Sequence, residues 1–133
     1  MLNKIYITLV STLLLCSSII ANATTLSLYT WRAQEVNLWN EINKQNLLPG
    51  ITIQPKVILY DNYRPYLLIE LQNNKVDLFQ WTPGASNLKE LIEYNYIKKN
   101  SHDISTINKS ALSASLGHDG HLYGVPFALQ LQS

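Results

Sequence analysis

Short runs of period two alternate along this chain with longer runs of period 3.6, and that alternation constrains the fold more than any other feature. Thr25-Leu-Ser-Leu-Tyr-Thr30 alternates polar and apolar residues and is predicted as a first strand. In residues 33–46, Val36, Leu38, Trp39 and Ile42 share one helical face, and Leu47-Leu-Pro-Gly50 ends the segment in a turn. Trp39 is expected in the core. Residues 51–59 form a second strand, placed at a sheet edge because Pro55 has no amide proton for a ladder. A helix over residues 63–73 follows, capped by Asp61 or Asn62, with Pro65 in its first turn. Residues 76–80 make a third, short strand. Pro83-Gly84 turns the chain, and Ser86 caps a helix carrying Leu88, Leu91 and Ile92. A polar loop at 98–109 precedes a short helix at 110–116 closed by Gly117. Asp119-Gly120 is a two-residue hairpin signal that feeds a last strand, residues 125–132. This order, β-α-β-α-β-α-loop-β, predicts an α/β fold with a mainly parallel, layered sheet.

The first 23 residues stand outside that pattern. A positive start, Met1-Leu-Asn-Lys4, precedes an apolar stretch at 5–20, and Ala21-Asn22-Ala23 puts small residues at −3 and −1 of a cleavage site. Polar Asn22, Thr24 and Thr25 arrive too soon for a membrane span, which needs about 20 apolar residues. Residues 1–23 are therefore expected to be a Sec signal peptide cleaved after Ala23, leaving residues 24–133 in the periplasm. Cys16 is the single cysteine, and Leu15 before it is too bulky for a lipidation site. Its loss would leave no thiol and no disulfide. The formal charge of the whole chain is +1, and losing Lys4 leaves acidic and basic residues balanced. That balance argues against nucleic acid or anionic membrane as partners.

In open α/β sheets ligands bind beyond the carboxyl ends of the strands. There the strands deliver Trp31-Arg32, Tyr60-Asp61, Gln80-Trp81 and, from the last strand, Gln130 or Gln132. Aromatic planes beside carboxylate, guanidinium and amide groups suit a sugar, whose C–H patches stack on rings and whose hydroxyls take hydrogen bonds. Each residue also has a plainer use: Trp31 and Trp81 in packing, Arg32 in solvent, Asp61 as a cap. His118-Asp119-Gly120-His121 looks superficially like a metal cluster. A hairpin with Asp-Gly in the turn and a histidine on either side lacks a third ligand, so no metal is expected. No phosphate-binding Gly-Lys-Ser/Thr loop, Gly-x-Ser-x-Gly elbow or His-Glu-x-x-His pattern occurs.

Three stretches carry a resemblance: Leu26-Ser-Leu-Tyr-Thr-Trp-Arg32, Val76-Asp-Leu-Phe-Gln-Trp81 and Asp119-Gly-His-Leu-Tyr-Gly-Val-Pro-Phe-Ala128. The second is similar to the Pro-Asp-[Ile/Leu/Val] strand of the extracellular solute-binding proteins of bacterial ABC sugar importers (the maltose-binding-like family), with Val76 in place of proline. The third resembles that family's Asp-Gly-Lys-x-Tyr-Gly-[Val/Ile]-Pro hairpin. The resemblance implies a type II periplasmic-binding-protein lobe and a sugar held between two lobes. It implies an ABC permease as membrane partner, a monomeric state, no cofactor and no catalysis. By the same resemblance Trp31, Arg32, Asp61, Trp81 and Gln130 fall where lobe-one ligand contacts are made. The chain is expected to be truncated before the second lobe, since family members are several-fold longer. The alternatives are a non-binding remnant or interaction fragment, and a small exported metal-dependent hydrolase using His118, Asp119 or His121.

Overall fold

A computed structural model describes residues 23–101 and 107–126. Residues 1–22 of the expected leader, and residues 127–132 of the expected last strand, lie outside the described residues. Val125 and Pro126 are described and belong to no strand.

The alternating segment at the start becomes the middle of the sheet. Strands β1 (Thr24–Thr30), β2 (Ile51–Val57) and β3 (Leu78–Phe79) lie parallel in the order β2-β1-β3. β1 meets β2 along its whole length, from Thr24↔Ile51 to Thr30↔Val57, and meets β3 through Leu28↔Leu78 and Tyr29↔Phe79. Pro55 stands on the edge strand, opposite Leu28, as its missing donor requires. The open side of that edge is partly closed by Asn43, whose amide donates to the Ile53 carbonyl at 2.7 Å and accepts from the Ile53 amide at 2.9 Å.

After β1 a 3-10 turn, Ala33–Glu35, leads into helix α1 (Val36–Lys44). Helix α2 (Tyr60–Gln72) returns the chain from β2 to β3, and α3 (Ala85–Glu93) and α4 (Lys109–Ser113) follow. Parallel crossovers are right-handed. The first runs from the centre to one edge and the second back across to the other, so α1 and α2 belong to opposite faces. The main core lies on the α2 face, where Tyr29 packs with Tyr63, Leu67, Leu71, Leu88 and Leu91. Tyr63, Leu67 and Leu71 recur every four residues and give α2 one apolar stripe.

Several local expectations are corrected. β3 has two residues rather than five, because the carboxylate of Asp77 occupies the position of its first ladder bonds. α2 begins at Tyr60 and follows Leu59, which makes no side-chain cap bond. Asp61 therefore lies in its first turn and neither Asp61 nor Asn62 caps it. The amide of Ile58 still bonds the Thr30 carbonyl at 2.9 Å, and the helix starts as soon as that pairing ends. Pro65 consequently sits inside the helix, where it withholds the donor that the Asp61 carbonyl would otherwise meet. α3 is preceded by Gly84 rather than Ser86. The Gly84 carbonyl takes the first helical bond from Leu88 at 3.1 Å, and its φ of +108° is one that a side chain disfavours. α4 is capped by Asn108, whose Oδ1 accepts from the Ser110 amide at 2.8 Å, and it stops short of Gly117. Trp39 is half-buried, and α1 carries no fully buried residue.

The turn near the end is shifted by one residue. Gly120 bonds back to the Gly117 carbonyl and the Gly117 amide donates to the His121 carbonyl at 2.9 Å, so His118 and Asp119 are the central pair. Gly120, at φ +74°, completes a three-residue loop of the bulged type. A single antiparallel bridge, Leu116↔Leu122, is the extent of the hairpin among the described residues.

Candidate functional site

The carboxyl ends of β1 and β3 meet in a closed ring of hydrogen bonds. Thr30, the last residue of β1 and fully buried, accepts from the Arg32 amide through Oγ1 at 2.9 Å and donates the same hydroxyl's proton to Gln80 Oε1. Gln80, just past β3, donates from Nε2 to Glu35 Oε2 at 2.7 Å. The other Glu35 oxygen, Oε1, accepts from Arg32 Nη1 at 2.9 Å and closes the circuit. Four residues from two strand ends and the intervening 3-10 turn are thereby fixed relative to one another. The Glu35 side chain keeps 12% of its exposure and that of Arg32 keeps 33%, so the carboxylate is the inner member of the pair. A guanidinium has five N–H groups. Glu35 engages Nη1.

On the other face of the same strand end the side chains are aromatic. Trp31 stands edge-on to Tyr63, with centroids 4.8 Å apart at 74°, and edge-on to Tyr60 at 5.8 Å and 73°. Tyr63 Oη lies 2.8 Å from the Tyr29 carbonyl oxygen and 2.7 Å from that of Gln80. Burial raises the Tyr63 phenol well above its ordinary pKa, so it is a neutral donor. Trp81 rests edge-on to Phe79 at 6.3 Å, donates from Nε1 to the Asn87 carbonyl at 2.8 Å, and has the Arg64 guanidinium 5.5 Å from its ring centre. Arg64 also pairs with Glu90 of α3.

Of the five residues expected at a ligand rim, Trp31 and Arg32 stand together at the end of β1. Trp81 follows the end of β3 and is half-buried against the main core. Asp61 is exposed in the first turn of α2, next to the Tyr60 that touches Trp31. Gln130 lies outside the described residues. Sequence reasoning missed Thr30 and Glu35 and gave Gln80 no partner. The signal for Glu35 was present, as opposite charges three residues apart that directly follow a strand.

The turn carrying the histidines is organised by Asp119. Its carboxylate accepts from the His121 amide at 3.1 Å and the Tyr123 hydroxyl at 2.9 Å, and pairs with Lys99 at 3.3 Å. The His121 amide bond, ahead of the other contacts, holds the Asp119 carboxyl below its ordinary pKa. Among the described residues no group of three or more histidine, cysteine, aspartate or glutamate side chains could hold a metal ion. No helix among them is long and apolar enough to cross a membrane.

No protein-family profile matches the chain, and no curated protein sequence does. Among solved structures it is similar to UspC of M. tuberculosis, with a TM-score of 0.64 and 14% identity over 75% of this chain and 25% of that one. It is also similar to Lmo0181, an ABC substrate-binding protein of Listeria monocytogenes solved with cycloalternan, with a TM-score of 0.45 and 23% identity over 76% of this chain and 27% of that one. The chain thus spans about a quarter of the length of the structures it matches. The likeness is one of fold: a mixed α/β unit with a small parallel sheet.

Proposed function

We propose that this chain supplies one face of a carbohydrate-binding cleft in an exported solute-binding component of an ABC importer. The observation that carries the reading is that one strand end at the carboxyl edge of a parallel sheet holds the ring of Thr30, Arg32, Glu35 and Gln80 on one face and the Trp31 indole on the other. That edge is where open α/β folds bind ligands. Packing against Tyr63 and Tyr60 fixes an indole whose remaining surface can cover sugar C–H groups. The ring fixes a guanidinium whose free N–H groups can meet sugar hydroxyls. Asp61 and Trp81 extend the same rim, and Gln130 completes the proposed set. The role is binding without catalysis, with the loaded protein presented to a membrane permease from the periplasm or cell exterior.

The test is titration of the chain from Thr24 onward with a panel of mono- and oligosaccharides, followed by tryptophan fluorescence and calorimetry. A saturable response from at least one sugar, reduced about ten-fold or more in affinity by Arg32→Ala, is expected from the loss of charged-donor hydrogen bonds. An unchanged spectrum and no heat across the panel would defeat the reading.

A further inference from the structure

We infer that Glu35 is the specificity-determining residue of this rim: by neutralising Arg32 it selects uncharged sugars over sugars bearing a carboxylate or phosphate. The inference rests on the proposed sugar-binding role and adds the charge class of the solute.

An exposed arginine at a strand end is a ready anion site, because its planar fork matches two oxygens of a carboxylate or phosphate. Here that fork already has an anion. Glu35 Oε1 sits 2.9 Å from Arg32 Nη1, and the carboxylate is more deeply buried than the guanidinium it neutralises. Glu35 is also held from behind, since Gln80 Nε2 donates to Oε2 at 2.7 Å and Gln80 is in turn fixed by Thr30. The carboxylate therefore cannot swing aside for an incoming anion without breaking the ring. A solute reaching Arg32 meets N–H donors with no net charge behind them. Sugar hydroxyls accept from such donors. A uronate or sugar phosphate would face the Glu35 charge within a few ångströms, with partial burial limiting its screening by water.

Glu35→Gln can preserve the circuit. With the introduced amide oxygen accepting from Arg32, its nitrogen can donate to a Gln80 amide turned by half a turn, so both links at position 35 are kept. The charge is removed, and the one bond given up is the Thr30 hydroxyl's donation to Gln80, since Thr30 Oγ1 then accepts from the turned amide. The experiment compares wild type, Glu35→Gln and Arg32→Gln in binding two matched pairs, D-glucose with D-glucuronate and D-galactose with D-galacturonate. Calorimetry gives the affinities, the Arg32 Nε–H resonance reports engagement directly, and circular dichroism establishes that each variant is folded.

Wild type should prefer the neutral member of a pair. Glu35→Gln should move the ratio toward the uronate by about ten-fold, the size of effect expected from one partly buried like charge, and that gain should shrink with added salt. Arg32→Gln, which leaves Glu35 uncompensated, should move the ratio the other way and serves if the first variant fails to fold. Sugars that bind with the same ratio in wild type and in every folded variant would overturn the inference and leave the proposed function standing, as would a wild-type preference for uronates. Binding of neither series by wild type would overturn this inference, and no response to any sugar of the wider panel would remove the proposed function with it.

Discussion

The hydroxyl of Tyr63, on α2, stands 2.8 Å from the main-chain carbonyl oxygen of Tyr29, near the carboxyl end of β1. The same hydroxyl lies 2.7 Å from the carbonyl oxygen of Gln80, just beyond β3, so one proton is shared between two strand ends. The Tyr29 carbonyl also accepts from the Gln80 amide at 3.0 Å, whereas Tyr63 is the partner through which the Gln80 carbonyl is tied to α2. Because Gln80 belongs to the ring with Glu35 and Arg32, this phenol connects the core to the rim.

Tyr63→Phe keeps the packing and removes the shared proton. The Gln80 carbonyl then loses its partner in a half-buried position, and a loss of about 1–3 kcal/mol is expected. Urea unfolding at neutral pH measures it.

The same residue gives a pH dependence with a definite sign. Burial raises the phenol above its ordinary value of 10.0. A raised pKa means that the unfolded chain gives up its proton first, so the stability linked to Tyr63 is present below about pH 10 and is lost as pH rises from there toward the raised value. Urea midpoints taken from about pH 9 to 11.5 should fall more steeply for wild type than for Tyr63→Phe. Parallel slopes would show that the phenol is not desolvated.

Asp77 shows the opposite linkage at the start of β3. Its Oδ2 accepts from both the amide and the hydroxyl of Ser27 at 2.8 Å, and the Asp77 amide reaches back to the Ser27 hydroxyl at 3.3 Å. The Ser27 amide bond first, then its hydroxyl bond, lowers the carboxyl below its ordinary 3.8. A depressed pKa contributes stability that is present above about pH 3.8 and lost as pH falls through the folded value. Asp77→Asn should be less stable than wild type at neutral pH, and the gap should narrow on acidification through about pH 4 to 3. Chemical unfolding across that range reads both.

How much of this was legible beforehand follows from the distance over which each contact acts. β1 was readable because its own alternation, Leu26, Leu28 against Ser27, Tyr29, survives in the sheet. Trp31 and Arg32 were readable because the residues after a buried strand must emerge at its carboxyl end. The start of α3 was misplaced because Ser86 is a good cap by composition, whereas the chain needs the positive φ of Gly84 ahead of it. Asp77 stood out within a strand motif, yet its work as a bridge to Ser27 depends on β3 pairing with β1 rather than β2. Gln80 and Thr30 are likewise 50 residues apart, and nothing local to either one names the other.

Two glycines in the late turn are required for different reasons, and substitution separates them. A Cβ at Gly117 would come 2.9 Å from Ile92 Cδ1, 2.9 Å from Tyr123 Cε2 and 3.0 Å from Asp119 Oδ1. Gly117→Ala should cost about 1–3 kcal/mol by overpacking, and Gly117→Asn more. A Cβ at Gly120 meets nothing within 4 Å, but φ is +74°. Gly120→Ala should cost about 1–2 kcal/mol through the left-handed backbone, and Gly120→Asn clearly less, since asparagine tolerates that region. Thermal unfolding of the four variants decides it. The same order at both positions would refute the distinction.

Trp81 joins two helices through its ring and its nitrogen, which separates its structural contribution from any contact with a solute. The indole N–H donates to Asn87 in α3, while Arg64 of α2 lies 5.5 Å from the ring centre and pairs with Glu90 of α3. Trp81→Phe retains a ring against Phe79 but drops the Asn87 bond, with an expected cost of about 1 kcal/mol. Trp81→Ala also leaves a hole in a half-buried position and should cost roughly 2–4 kcal/mol. Arg64→Ala combined with Trp81→Ala in a double-mutant cycle should give a coupling of about 0.5–1 kcal/mol, the range of an exposed cation–π pair. Zero coupling would mean that the guanidinium is held by Glu90 alone.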